Sequence, residues 1–244
     1  ENKIFISDDC STDKTTEVCK KYQQLYPDRI TLNVNKTNIK AQKNYMLALN
    51  SITTKYTAYL EGDDYWCDNN KLEKQIDSLE NNKSCICSCH NTKTIGNTKI
   101  PFFVYEVKTG VYNIDTFKSL THPSSRLYNT FIVKQYLTDL MDTWDICFQR
   151  LILELGDIYY IDEIMSIYNK NDRGIWSGLT PQERQKIGID TNLYLKNKYK
   201  IEDVIVIDSN KIKQEQEEEQ RKIVAQKQRD RILRRPHDDG IHFN

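Results

Sequence analysis

Three carboxylates crowd around one glycine in the stretch Tyr59-Leu60-Glu61-Gly62-Asp63-Asp64-Tyr65-Trp66. Like charges packed this closely repel, and a turn or a helix cap needs one acid rather than three. An apolar run precedes them and two aromatics follow, so they stand where a strand ends. Carboxylate oxygens in such a place are hard ligands that suit Mg²⁺ or Mn²⁺. They also accept hydrogen bonds from a base or a ribose. Gly62 lets the backbone turn tightly and come close to a ligand. A second acidic pair, Asp8-Asp9, closes the apolar run at residues 3–7. Read alone, that pair serves equally well as a turn former, and Asp13 is expected to be a helix cap.

The elements that must position these acids follow from the spacing of apolar residues. Residues 3–7 read as a strand and the segment after Ser11 as a helix, with Val18, Tyr22 and Leu25 at helical spacing and Pro27 beyond its end. Residues 30–35 alternate like a strand, 40–52 read as a helix, 55–60 as a strand and 70–82 as a helix. This β-α-β-α-β-α order predicts an α/β fold with a mainly parallel sheet flanked by helices. In such sheets ligands bind outside the carboxyl ends of the strands, which is where both acidic clusters fall. Further along, 84–94 and 97–107 read as strands and 122–130 as a polar connector. An apolar helix over 144–156, a strand over 157–168, a loop over 169–179 and further helix complete the pattern.

Composition narrows the function. The 244 residues are 38% hydrophobic and 29% charged, and none of the apolar runs approaches a membrane span. Lys plus Arg and Asp plus Glu are 35 each, so no basic excess argues for nucleic acid as a partner. Seven cysteines lack framework spacing and suit reduced thiols in a cytoplasmic protein. Cys85, Cys87 and Cys89 alternate on one strand face, with His90 on the other, so packing explains them better than zinc. From about residue 208 the chain turns charged and glutamine-rich, which divides it into a domain over 1–207 and a helical tail over 208–244. The basic end of the tail at 231–235 offers a peripheral contact for an anionic membrane surface.

Four segments together resemble family 2 glycosyltransferases. ISDDCSTDKT resembles the family's DDxSTDxT run, and LEGDDYW its Asp-x-Asp region with Glu61 in the first acidic place. NIKAQKNYMLAL is similar to the loop and helix between them. WDICFQRLILELGDIYYIDEIMSIY followed by GIWSGL looks like the C-terminal part of bacterial polysaccharide-type members. The resemblance implies a GT-A fold and transfer of a sugar from a nucleotide-diphosphate donor, most often a UDP-sugar, with inversion. The acceptor would be a glycan or lipid-linked molecule, placed at the inner face of a cell membrane. Carried over by position, Asp8 or Asp9 would contact the nucleoside. Lys43 and Asn44 would lie near the nucleotide. Asp63 would bind the divalent metal, supported by Glu61 and Asp64, and Asp145 would be the catalytic base. Read without the resemblance, Asp145 is an ordinary acid of a helix first turn.

The family's first strand and helix have no counterpart here. A β-α lead-in of about 30 residues is expected before the first strand, and without it the sheet is expected to expose an apolar edge. Lys40 stands where the family loop often has glycine, and Asn169 and Asp172 stand near places usually held by Arg and His. His122, Ser124, Ser125 and Arg126 suit either an acceptor site or a plain polar loop. Trp176, after Gly174, suits stacking on a sugar or burial. His237 and His242 in the tail carry no chemistry on this reading. The alternative to an enzyme is a non-catalytic glycosyltransferase-like fragment that uses the charged tail to engage a partner. A nucleotidyltransferase is a weaker third reading.

Overall fold

A computed structural model of the protein describes residues 2–96, 107–117, 119–137, 144–170 and 179–199. The expectations for the strand at 97–106, for Trp176 and Gly174, and for the tail beyond 199 lie outside these residues. Two compact units result, 1–180 and 181–244. The second contributes one described helix, α6 (Pro181–Tyr199), with Ile189 and Leu193 exposed.

The first unit is α/β. Strand β1 (Ile4–Asp8) pairs in parallel with β2 (Ile30–Val34), in register Ile4 to Ile30 and Asp8 to Val34. Helix α1 (Thr15–Leu25) connects them, and α2 (Ala41–Ser51) follows. After β3 (Tyr56–Ala58), β4 (Tyr65–Trp66) and α3 (Lys71–Asn81) come the long β5 (Cys85–Gly96) and β6 (Gly110–Tyr112). A 3-10 turn (Pro123–Ser125), β7 (Leu127–Asn129), α4 (Thr130–Tyr136), α5 (Trp144–Leu155) and β8 (Asp157–Lys170) complete the unit.

The flanked sheet is as the periodicity predicts, but its pairing is mixed rather than mainly parallel. The order is β3-β7-β5-β8-β4, with β6 also on β8, and β1–β2 form a separate two-stranded sheet. Among the described residues, only β5 and β8 run parallel in the larger sheet; β3–β7, β5–β7, β4–β8 and β6–β8 are antiparallel. The short strands β4, β6 and β7 alter the topology, and at two or three residues each they leave no period in the sequence.

Burial follows the helical stripes of α3 and α5. On α3, Leu72, Ile76 and Leu79 pack with Cys85 and Leu127 beneath β3 and β7. On α5, Cys147, Phe148, Leu151 and Ile152 are buried. Each fully buried side chain of this size contributes roughly 1.5–3 kcal/mol. Cys85, Cys87 and Cys89 are free, buried thiols on β5, and burial pushes each of them above the usual thiol range. That is the packing role expected of them.

The α1 stripe behaves differently. Val18, Tyr22 and Leu25 are each about half exposed, at 51%, 50% and 58%. The helix instead turns Thr16, Cys19 and Gln23 inward. Ile4 and Tyr26 are exposed beside it. The segment read as a polar connector is also different: His122, Ser124, Ser125 and Arg126 are all buried. Their polarity is absorbed by bonds to one another and to neighbouring strands, so hydrophilicity alone misplaces them on the surface.

β8 is bent where it matters for the site. Its register against β5 shifts between His90 and Thr92, opposite Asp162 and Ile164. Asn91 Nδ2 donates to Asp162 Oδ1 at 2.7 Å, and the Tyr160 hydroxyl donates to Asn91 Oδ1. The irregularity separates the half of β8 that pairs β6 from the half, Ser166–Ile167, that pairs β4. Such bulges re-aim a strand.

Under β4 lies Lys71, 1% exposed, its Nζ donating to Gln75 Oε1 at 2.6 Å and standing 4.3 Å over the Trp66 ring. Burial lowers its ammonium to about 7. The folded value lies below the unfolded one, so stability falls as pH drops from about 10.5 to about 7 and is level below that. Between pH 7 and pH 10 the melting temperature of the native chain should therefore rise relative to that of Lys71→Met, by about 3 °C or more. Parallel melting curves across that range would contradict the assignment.

Candidate active site

The acidic stretch forms a turn. Asp64 N donates to Glu61 O at 3.2 Å, which places Gly62 and Asp63 at its corners. The first and last residues of such a turn lie side by side, so Glu61 and Asp64 face one another while Asp63 is carried outward and is exposed. Leaving the turn, β4 enters the sheet against Ser166 and Ile167. Trp66 Nε1 donates to Ser124 O at 3.0 Å and ties the 3-10 turn to the same edge.

That turn delivers His122. The imidazole caps it, accepting from Ser124 N at 3.3 Å, with Pro123 in the first position. Its ring lies on Tyr168, centroids 4.5 Å apart. The Nδ1 atom stands 3.6 Å from Asp64 Oδ2. Glu61, Asp64 and His122 thus each bring one ligand atom within 4.8 Å of the others. Asp64 Oδ1 accepts from Asn169 N at 3.1 Å, while Oδ2 is buried without a hydrogen-bond partner.

Asp145 opens α5, and its Oδ1 is likewise buried without a partner. Arg126, 2% exposed, acts by its charge on Glu61 and Asp145. Its Nε donates to Thr121 Oγ1 at 2.8 Å, its Nη2 to Thr121 O and its Nη1 to the backbone oxygen of Asp145 at 3.3 Å. Gln149 Oε1 accepts from Thr121 N and from Nη2. The guanidinium therefore holds the start of α5 by its main chain and acts on the carboxylates through its charge.

The electrostatics show the strain. Glu61 is pushed up to about 8 by burial and by Asp145, Asp64 and Asp63, with Arg126 opposing. Asp64 rises to about 6 through burial, against the Asn169 bond that lowers it. Asp145 rises to about 6 by burial, again with Arg126 opposing. His122 is lowered to about 3 by burial and by Arg126, and so is neutral. The corner holds more negative charge than its one guanidinium neutralises. A divalent cation fits it: two carboxylates and a neutral imidazole converge, and one buried oxygen already lacks a partner.

The residues expected at the nucleotide lie at the end of β1 and on α2. Asp8 is buried, and its oxygens accept from Ser11 N and Oγ and from Thr16 Oγ1. Burial raises its pKa, but the Ser11 and Thr16 bonds outweigh that and hold it below the usual range. Asp9 Oδ1 accepts from Asn35 Nδ2 at 2.9 Å and from Ile39 N at 2.8 Å, fixing the loop before α2. Asn44 donates to Ser7 O and accepts from Ser7 Oγ and Asn35 Nδ2, so it fastens α2 to the end of β1. Lys43 is exposed on the first turn of α2. Lys40, in the place where glycine was expected, has φ 77° and ψ 154°. That region is essentially reserved for glycine and costs about 1–3 kcal/mol for other residues.

Sequence reasoning offers His122 and Arg126 for an acceptor site or a polar loop, but the contacts of His122 with Asp64 and of Arg126 with the start of α5 escape it. The available signal is the polar run His122–Arg126 set between Leu120 and Leu127-Tyr128, which nothing in periodicity turns inward.

Comparison with known proteins bears on this geometry. A profile described as Glycosyl transferase family 2 matches residues 1–137. An uncharacterized protein of Mycobacterium tuberculosis is 24% identical over 193 residues, 75% of this chain and 54% of that protein. The dTDP-rhamnosyl transferase RfbG of Shigella flexneri is 36% identical over 91 residues, 35% of this chain and 31% of that protein. The chain spans about half the length of the mycobacterial relative. Among solved structures, Staphylococcus aureus TarS 1–349 in complex with UDP-GlcNAc is similar with a TM-score of 0.65 at 16% identity, over 80% of this chain and 58% of that one. The mannosyltransferase PcManGT from Pyrobaculum calidifontis, in complex with GDP-Man and Mn²⁺, gives 0.54 at 10% identity, over 76% and 51%. At these identities the likeness shows the fold, the GT-A arrangement expected from the sequence.

An orphaned buried carboxylate is a cost in the metal-free protein. Asp64 has a raised folded value, so its cost is fully present above pH 6 and vanishes toward its unfolded value of 3.8. In EDTA at pH 7.5, Asp64→Asn should melt about 3 °C or more above the native chain, with the gap closing as pH falls from 6 to 4. A variant that melts lower at pH 7.5 would contradict this.

Proposed function

The chain belongs to glycosyl transferase family 2, and from that premise we propose that it moves a glycosyl group from a nucleoside diphosphate donor, a UDP-sugar, to a hydroxyl of a glycan or lipid-linked acceptor, with inversion. The observation that carries the reading is the convergence of Glu61, Asp64 and Asp145 around buried, unpartnered oxygens beside Arg126.

In this reading the acceptor oxygen attacks the anomeric carbon from the face opposite the diphosphate. The bond from that carbon to the diphosphate oxygen breaks, and the nucleoside diphosphate leaves with the electron pair. Asp145 takes the acceptor's proton. Its value of about 6 keeps it ionised at neutral pH yet more basic than an ordinary aspartate, as a general base requires. Arg126 would position Asp145 through the backbone of α5, and its charge opposes the effect of burial on that carboxyl. Glu61 and Asp64 would hold the cation, Mg²⁺ or Mn²⁺, with Asp63 meeting it from the solvent side. When bound, such an ion supplies electrostatic stabilisation of the departing diphosphate. In the same reading Asp8 or Asp9, at the end of β1, would contact the nucleoside, and Lys43 would lie near the nucleotide beside Asn44, which fastens α2 to the end of β1.

The charged tail, one of the two features behind the non-catalytic alternative, lies outside the described residues. No described helix is long and apolar enough to cross a membrane. A cytoplasmic site of action with peripheral membrane contact through residues 231–235 belongs to the same proposal.

Thermal shifts with UDP, GDP and TDP, each with and without Mn²⁺, should single out UDP with a metal-dependent rise. Asp145→Asn should keep that rise and lose transfer from the UDP-sugar by about 100-fold or more, and the product anomer read by NMR should be inverted. Undiminished transfer by Asp145→Asn, or a retained anomeric configuration, would sink the proposal.

A further inference from the structure

Resting on the reading of Glu61 and Asp64 as cation ligands, we infer that Lys71 and Gln75, two buried polar residues at the start of α3, are positioning residues for that site. They tie the acidic turn and the 3-10 turn Pro123–Ser125 to one helix, and so set the two turns relative to each other.

The residue types point to this first. Helix α3 turns Lys71, Gln75, Ser78 and Leu79 inward, a buried stripe that is mostly polar. Lys71 is the first residue of the helix, where the dipole disfavours a cation. It is 1% exposed, and its bonding partner is the neutral amide of Gln75 rather than a carboxylate. A buried ammonium without a countercharge costs stability, and a methionine would fill the same space without that cost. What methionine cannot do is donate to Gln75 and attract the face of Trp66.

The bonds show what the two groups hold. Gln75 is 0% exposed. Its Nε2 donates to Ser88 O at 2.8 Å and to Ser125 O at 2.9 Å, and its Oε1 accepts from Lys71 Nζ at 2.6 Å. Carbonyls can only accept and an ammonium can only donate, so one orientation of the amide satisfies all three partners. Lys71 Nζ stands 4.3 Å over the Trp66 ring, within cation–π range. From its edge, the same ring donates Nε1–H to Ser124 O at 3.0 Å. Two successive carbonyls of the 3-10 turn, those of Ser124 and Ser125, are thus held by two side chains that Lys71 joins.

The held points adjoin the site. Trp66 follows Asp64 by two residues and carries the acidic turn into β4. Arg126 follows Ser125 directly. Within the turn, Arg126 N donates to Pro123 O at 3.1 Å, and Ser125 N and Oγ donate to His122 O at 3.0 and 2.7 Å, so the turn moves as one piece. Releasing either carbonyl would shift the approach of His122 to Asp64, now 3.6 Å, and the reach of Arg126 to the start of α5. Small displacements at a reacting centre cost large factors in rate and affinity.

The test uses Mn²⁺ alone, titrated into the purified chain at a temperature where every variant is folded, with free ion counted by its electron paramagnetic resonance signal. Lys71→Met and Gln75→Met should each bind Mn²⁺ about tenfold or more weakly than the native chain. Leu79→Ala, a core truncation on the same stripe of α3, should lower the melting temperature and keep Mn²⁺ affinity within about twofold. If Gln75→Met does not fold, by its circular dichroism melt, Lys71→Met decides alone. Native Mn²⁺ affinity in Lys71→Met would overturn the positioning role and leave the acidic site standing. Weakening that follows the loss of melting temperature in all variants, Leu79→Ala included, would overturn it as a merely structural effect. A Lys71→Met chain that does not fold would likewise overturn it, because the lysine would then serve stability. A native chain that binds no Mn²⁺ would overturn both the positioning role and the cation reading.

Discussion

Burial of Glu61, Asp64 and Asp145, with Glu61 repelled by the other two, is the constraint on which the structure turns. Each is drawn above the ordinary carboxylate range by burial, and one guanidinium, Arg126, opposes the shifts of Glu61 and Asp145. A fold selected for stability alone would not place these groups together. They persist because the surrounding elements over-determine them. Turn geometry sets Glu61 beside Asp64, pairing of β4 with β8 holds the turn, and the Arg126 bonds to Thr121 and Asp145 fix the head of α5.

The same elements join the two halves of the first unit. Tyr45 on α2 meets Tyr128 on β7 through their hydroxyls, and Phe148 on α5 packs edge-on against both rings. The helix that starts at the Asp9 loop is thereby referred to the strand and helix that carry Arg126 and Asp145. Precise spacing between a donor-binding loop and a reacting centre has this kind of packed origin, because packed side chains do not deform continuously. The irregular register of β5 and β8 has a related effect, aiming Ser166 to Asn169 toward the acidic turn.

Much of the fold was legible in the sequence. α2, α3, α5, β5 and β8 show in the spacing of their apolar residues, and the acids at 61–64 announce themselves by density. What was not legible has physical causes. Strands of two or three residues leave no period. The run His122–Arg126 is polar yet buried, because its groups satisfy one another and the strand ends. Val18, Tyr22 and Leu25 form a stripe that lies exposed, so the stripe is real and its burial is not. The sequence places Asp63 and Asp64 side by side, whereas the turn leaves Asp63 exposed and sets Asp64 beside His122, 58 positions further on, a proximity that only the fold creates.

The central claim is that the crowded carboxylates hold a cation against a diphosphate, and mutual dependence of the two ligands tests it most directly. Free Mn²⁺ would be counted by its electron paramagnetic resonance signal in a titration of the native chain, with and without saturating UDP, against a protein-free control containing the same UDP. Linkage requires that UDP tighten Mn²⁺ binding by the factor by which Mn²⁺ tightens UDP. The account predicts a reciprocal gain of about tenfold or more beyond the control. Equal Mn²⁺ affinity in the presence and absence of UDP would contradict it, and would mean that the acids at the end of β3 serve something other than the donor.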